Sequence, residues 1–179
     1  MFKKTCEVCC VTEIFSEENL ALHREYVRKL RLKYSILETS LPELSGAPIE
    51  TALRLRLTSV DRADVIRLLP EIELHEIFFS SLTAEKYPNS DSVVKRFGSV
   101  AAYLDMLYRL LREASHGFLV IRQNGDCSVV TKYYRAFCCG RPVLAIDMCE
   151  HAYFLDYGFD RERYIYSCLS RLDIGKIKI

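Results

Sequence analysis

From Ser16 onward apolar residues recur at three- and four-residue steps. Leu20, His23, Val27, Leu30 and Tyr34 define one face of a predicted helix, and Arg24, Arg28, Lys29, Arg31 and Lys33 crowd the rest. Ser16 followed by Glu17, Glu18 and Asn19 reads as an N-cap with acids in the first turn, where the helix dipole favours negative charge. Residues 41–48 carry Pro, Gly and Ser and predict a turn. Residues 49–60 predict a helix, although Ser59 and Asp61 equally suit the cap of the next one. Residues 61–82 predict a long, strongly apolar helix in which Pro70 makes a kink or an internal break. Lys86-Tyr87-Pro88-Asn89-Ser90 is the expected boundary. It separates an N-terminal arm and helical hairpin, 1–88, from a second unit, 89–179.

Beyond that boundary Phe97-Gly98-Ser99 opens a helix over 99–114, with Tyr103, Met106, Leu107, Leu110 and Leu111 on its apolar side. The period then changes from helical to extended. Residues 117–122 form a short β-branched and aromatic run, Gln123-Asn124-Gly125-Asp126 is a hairpin turn, and 127–134 answers as a second strand. Residues 142–146 predict a third strand ending at Asp147, and 160–172 a final helix. The fold class that follows is α+β: a helical hairpin, then a domain with a three-stranded antiparallel sheet.

Composition narrows the function classes. A chain of 179 residues, half hydrophobic and 27% charged, is long enough for a buried core and too apolar for wholesale disorder. A formal net charge of +1 gives no support for a nucleic-acid-coating or membrane-surface role, so the basic helix reads as a solvated face. No apolar run approaches the roughly 20 residues of a membrane span. Residues 1–11 lack the apolar core and cleavage site of a secretory signal, so a cytoplasmic location is expected. There the eight cysteines are expected to be thiols. Cys6-Glu-Val-Cys9-Cys10 contains a CxxC, but no second pair at matching spacing accompanies it, and a thiol-bearing arm is the favoured reading over a metal site.

The sharpest local feature is Asp147-Met-Cys149-Glu150-His151-Ala-Tyr153. A strand ending in Asp, with His four residues later in a turn, directs a carboxylate and an imidazole towards one point. Histidines from two helices would complete a three-nitrogen, one-oxygen shell suited to a redox-active first-row metal. Taken singly, each residue has a plainer role: His75 as a satisfied core group, Asp147 as a turn cap, Arg161 as a surface ion pair.

The segment as a whole resembles the metal-site signature of the iron/manganese superoxide dismutases, Asp-x-Trp-Glu-His-Ala-Tyr, with cysteine in place of tryptophan. Leu74-His75-Glu-Ile-Phe-Phe79 is similar to that family's Asn-His-x-x-Phe-Trp, and Phe97-Gly98-Ser99 to its Phe-Gly-Ser. Tyr157-Gly-Phe-Asp-Arg161-Glu-Arg-Tyr164 resembles its Tyr-x-Asn-x-Arg-Pro-Asp-Tyr, and Ser16-Glu-Glu-Asn-Leu-Ala-Leu-His23 its Ser-x-Glu-Thr-x-x-x-His. The resemblance implies one Fe or Mn held by His23, His75, Asp147 and His151. It also implies alternation of that metal between two oxidation states as superoxide is disproportionated to dioxygen and hydrogen peroxide. It further implies a homodimer in which Glu150 reaches the partner's ligand histidine, and Arg161 in the substrate channel. A second alignment matches His23-Arg-Glu-Tyr26-Val to a non-ligand His-x-x-Tyr-Val stretch and moves Glu18 to the ligand position; the ungapped match from Ser16 favours His23.

The residues around that shell depart from the family. The histidine four positions after the first ligand becomes Val27, the tyrosine eight positions on becomes Arg31, and the tyrosine that meets that histidine across the dimer becomes Phe154. The glutamine that hydrogen-bonds metal-bound solvent is replaced by Glu71, whose charge would favour the trivalent metal and lower the potential. The tryptophans of the cavity wall become Phe79, His116, Phe118 and Cys149, the last oxidisable by peroxide. Two functions follow: a superoxide dismutase, or a metal-binding but catalytically weak or inactive protein of the same fold with a structural or protein-interaction role. A third, other oxygen or redox chemistry at the same shell, stands behind them.

Overall fold

The structure is a computed structural model and describes residues 14–85 and 87–178; the Cys6, Cys9, Cys10 motif lies outside them. The first helix, α1 (Glu17–Ser40), begins where the Ser16 hydroxyl accepts the Asn19 N–H at 3.1 Å. It buries Asn19, Leu20, His23, Val27, Leu30 and Tyr34, which is the face its apolar spacing predicts, with Asn19 added. A 3-10 turn (Pro42–Leu44) returns the chain to a single helical turn, α2 (Ile49–Ala52). The expected helix over 49–60 therefore stops early. Past it the chain continues as a turn, the Arg54 and Leu55 amides donating to the Thr51 and Ala52 carbonyls at 2.9 and 3.3 Å, with Leu53, Leu55 and Leu57 half-buried and Arg54 and Arg56 exposed.

Thr58 caps α3 (Ser59–Ser80), taking the Asp61 N–H at 3.2 Å. Pro70 lies inside this helix without breaking it. The missing amide hydrogen bond there is offset by burial, since Val65, Leu68, Leu69, Ile72 and Leu74 flank it in the core. With α1 on one side and the sheet on another, α3 is buried over more than one face, as a central helix must be.

Two helices follow: α4 (Asp91–Phe97), over residues for which the sequence predicts no element, and α5 (Val100–Glu113). Their junction is Gly98 at φ +84 and Ser99, whose hydroxyl caps α5 by accepting the Ala102 N–H at 3.0 Å. The sheet comprises β1 (Phe118–Ile121), β2 (Cys127–Val130) and β3 (Leu144–Asp147), antiparallel in the order β2-β1-β3. Pairing runs from Phe118↔Val130 to Ile121↔Cys127 on one edge of β1 and from Phe118↔Asp147 to Ile121↔Leu144 on the other. The expected second strand ends earlier than predicted, at Val130, and a 3-10 helix (Tyr133–Phe137) replaces its last residues.

The chain closes with α6 (Glu150–Tyr157), α7 (Arg161–Ser170) and a final 3-10 turn (Ile174–Lys176). The α+β class and its three-stranded antiparallel sheet are thus as expected. One core cluster runs through both halves, from Leu20 and Phe78 to Leu119, Ile146 and Tyr164. No helix among the described residues is long and apolar enough to cross a membrane. The five cysteines they include are free thiols.

Candidate metal centre

Four elements bring the site together. His23 faces inward from the second turn of α1, and His75 from the last turns of α3. Asp147 ends β3, and His151 is the second residue of α6. The sequence reading placed His151 in a turn; it lies instead in a helix, which sets its imidazole one turn from the strand end. Antiparallel register puts Asp147 opposite Phe118, at the end of the sheet beneath α3.

The donor atoms converge. Nε2 of His23, His75 and His151 lie 3.4, 3.3 and 3.1 Å from Asp147 Oδ2, and His75 Nε2 is 3.2 Å from His151 Nε2. One atom from each of the four residues falls within 4.8 Å of all the others. His23, His75 and Asp147 are buried, and the His151 side chain is 31% exposed, so the cluster meets solvent on that side.

Neighbouring groups fix each donor. The Asp147 Oδ1 atom accepts the Cys149 N–H at 2.9 Å, and the Tyr164 hydroxyl donates to the Asp147 carbonyl, which leaves Oδ2 facing the histidines. His75 Nδ1 lies 2.7 Å from the Glu71 carbonyl oxygen. A carbonyl only accepts, so Nδ1 carries the proton and Nε2 presents a lone pair to the cluster. Phe78 and Phe79 pack on His23 with ring centroids at 5.6 and 4.9 Å, and Phe118 meets His75 edge-on at 5.1 Å.

Electrostatics follow from this burial. Desolvation alone would raise the Asp147 carboxyl, but contacts with His151, His23 and His75 outweigh it and hold the group well below the usual carboxylate range. Burial pushes the His23 imidazole below its ordinary value, against the pull of Asp147. Burial also acts downward on His75, yet Asp147 and the Glu71 carbonyl overcome it and the net shift is upward. Burial raises the Cys149 thiol to about 12, so it stays protonated, 3.5 Å from the Tyr133 hydroxyl.

These residues fit a metal ion. His23 Nε2 and Asp147 Oδ2 are buried without a hydrogen-bond partner, although both point into the cluster. Leaving such atoms unpaired costs about 1–3 kcal/mol each, and a cation shared among the four donors removes that cost. Donors about 2.1 Å from one ion and about 90–120° apart are separated by about 3.0–3.6 Å, which matches the distances above. The set of three imidazoles and one carboxylate is that of a first-row transition metal, and oxygen-only cations suit it poorly.

Other predicted residues fall into three groups. Glu71 lies beside the site one helical turn before His75, outside the four-residue cluster, and accepts the Tyr26 hydroxyl at 2.5 Å. Arg161 opens α7 and donates from Nη2 to the carbonyls of Leu111 and Ala114, fastening the end of α5; it does not join the cluster. Glu150 is exposed at the start of α6, and Glu18, the alternative first ligand, is exposed on α1.

Val27 is buried and Arg31 pairs with Glu76 at 2.7 Å on the surface. Of the four expected wall residues, Phe79, Phe118 and Cys149 surround the cluster, whereas His116 is exposed and pairs with Ser115. Tyr133, which the sequence gave no reason to select, stands in the wall instead, 5.3 Å from Phe118. Tyr26, named in sequence only within the second alignment and given no role there, also stands at the site: its ring lies 4.5 Å from that of His151 at 31°. Its position three residues after His23, on the same helix face, is the signal that marks it.

A site of three histidines and one aspartate, buried except at His151 and shared between a helical hairpin and the end of an antiparallel sheet, defines a mononuclear metal-binding class. The family description "Iron/manganese superoxide dismutases, C-terminal domain" matches residues 85–178, just over half of the chain. A protein named Superoxide dismutase [Fe], from Babesia bovis, is 29% identical over 171 residues, covering 85% of this chain and 80% of that one. The chain belongs to the iron/manganese superoxide dismutase family.

Proposed function

We propose that this protein is a superoxide dismutase holding one iron or manganese ion between His23, His75, Asp147 and His151. The observation that carries the reading is the pair of buried, unpartnered atoms, His23 Nε2 and Asp147 Oδ2, facing two further imidazole nitrogens. An ion of that kind, when bound, supplies the one-electron chemistry by which two superoxide ions and two protons become dioxygen and hydrogen peroxide. The protein's part is positional and electrostatic. Asp147 brings one negative charge, the Glu71 carbonyl fixes the His75 tautomer, and the aromatic wall of Phe78, Phe79 and Phe118 limits water. Tyr26 Oη holds a proton against Glu71 Oε1 at the edge of the site, and burial followed by that contact keeps its phenol neutral.

Donors come two from the hairpin, residues 1–88, and two from the α+β unit, 89–179, which supports dividing the chain at that point. The homodimer belongs to the same reading: Glu150, His151 and Phe154 are exposed together along α6, with Phe159 96% exposed just beyond it. The free thiols suit a reducing compartment, and the cytoplasm is the one assigned here. Glu71 favours a second reading, a site that binds metal but turns over slowly, because a carboxylate fixed beside the cluster stabilises the more highly charged metal.

Superoxide decay followed by pulse radiolysis of metal-loaded protein separates the two. Dismutation predicts decay accelerated in proportion to protein, with that acceleration lost in Asp147→Ala. Equal decay with both proteins, each folded, leaves binding without turnover.

A further inference from the structure

A second cleft, of about 350 Å³, lies between the later half of α1, the 3-10 turn at Pro42–Leu44 and α3, away from the candidate metal centre. Its walls include Leu44, Leu69 and Ile72, and its polar groups include Tyr34, Glu38 and Glu73. Tyr34 is only 8% exposed, and its hydroxyl oxygen is buried without a hydrogen-bond partner while the residue lines the cleft. Burial, then Glu38 and Glu73, push this phenol up to about 12, so it is neutral and its oxygen keeps a lone pair to offer.

Charge decides what the cleft accepts. Arg31, at its rim, is answered by Glu76 at 2.7 Å, and Glu73 by Arg141 at 2.5 Å. The Glu38 carboxylate has neither an ion pair nor a hydrogen bond among the described residues and is the uncompensated charge. The Glu38 carboxylate, the Glu73 oxygen that Arg141 leaves over and the phenol oxygen call for a donor. Anions are repelled, and a neutral hydroxyl or amide would leave the negative charge in place. An ammonium group carries three N–H donors for three acceptors, and the apolar walls suit a hydrocarbon stem behind it.

We propose that this cleft binds a primary ammonium group carried on a short alkyl chain, with Tyr34, Glu38 and Glu73 as its acceptors and Leu44, Leu69 and Ile72 along the stem. Two sources share that chemistry: a free linear polyamine, or a lysine side chain of a partner protein. The proposal needs no metal and is independent of the dismutase reading.

Isothermal titration of the full chain tests it. The probes are 1,4-diaminobutane and Nα-acetyl-lysine-N-methylamide, with 1-butanol and butyrate as neutral and anionic controls. One saturable site is expected for an ammonium probe and none for the controls. Loss of one charge-assisted or hydroxyl contact in Glu38→Gln or Tyr34→Phe should weaken it by about tenfold, with the far-ultraviolet circular dichroism unchanged. Tighter binding of the diamine assigns a free amine, and tighter binding of the lysine analogue assigns a partner's side chain. No saturable binding of either probe, or binding undiminished in either variant, overturns the proposal. Both variants keep the fold testable, because one removes a single oxygen and the other a charge at a half-buried position.

Discussion

Asp147 divides its work between its two oxygens. Oδ1 is spent on the Cys149 amide, and Oδ2 is left for three imidazoles, so the carboxylate both shapes the start of α6 and faces the cluster. Glu71 has a comparable double tie, through its carbonyl to His75 and through its carboxylate to Tyr26. Removing only the charge, in Glu71→Gln, is expected to raise the midpoint potential of the metal-loaded protein. At an effective dielectric of about 20 the rise is on the order of 100 mV. Spectroelectrochemical titration of both proteins measures it, and an unchanged potential contradicts the electrostatic role given to Glu71.

The four clustered residues were legible in the sequence because their residue types, order and approximate spacing match the family pattern. Tyr26 and Tyr133 were not. Tyr26 matters through the angle at which α1 crosses α3, and Tyr133 through a 3-10 helix that strand periodicity conceals. His116 shows the opposite error: a position inferred from the family's tryptophan pattern points to solvent here.

At the scale of elements, the amphipathic helices were the easiest to read. The buried face of α1 follows directly from its apolar spacing, and α5 buries Tyr103, Leu107 and Leu111. Short elements were not legible. The two turns of α6 start at Cys149, whose side chain makes no capping hydrogen bond, so no cap signal announces the helix that carries His151. Pro70 makes no internal break, the second of its two expected effects, because burial on several sides of α3 outweighs the local cost of the ring.

The sheet depends on one small residue. Gly117 has φ +104, and a Cβ there would lie 2.4 Å from the Val130 carbonyl oxygen at the end of β2. Its own carbonyl accepts the Met148 N–H at 2.8 Å, between Asp147 and the start of α6. Gly117→Ala is therefore expected to destabilise the protein by about 2–4 kcal/mol and to reduce metal loading as β3 shifts. Urea unfolding checks the first effect, and a loss below about 0.5 kcal/mol, the scale of an ordinary surface change, contradicts it.

Over the whole molecule, one continuous core joins the hairpin to the α+β unit. Asp156 ties them at the surface, accepting from both the Ser16 amide and the Asn19 side chain at 2.9 and 2.8 Å. On the same side the exposed rings of Phe154 and Phe159 pack edge to face at 5.4 Å. If this face pairs with a second copy, Phe154→Asp with Phe159→Asp should weaken the dimer by about thirtyfold or more while leaving the fold intact. Sedimentation velocity reads this directly, and a wild-type chain that remains monomeric at high concentration contradicts the dimer.

The central claim is that His23, His75, Asp147 and His151 hold one metal ion. Plasma mass spectrometry of protein loaded with iron or manganese and then desalted tests it most directly. The account predicts about one ion per wild-type chain and almost none in Asp147→Ala or His75→Ala, with each variant folded by circular dichroism. Wild-type protein that retains no more metal than those variants would contradict it.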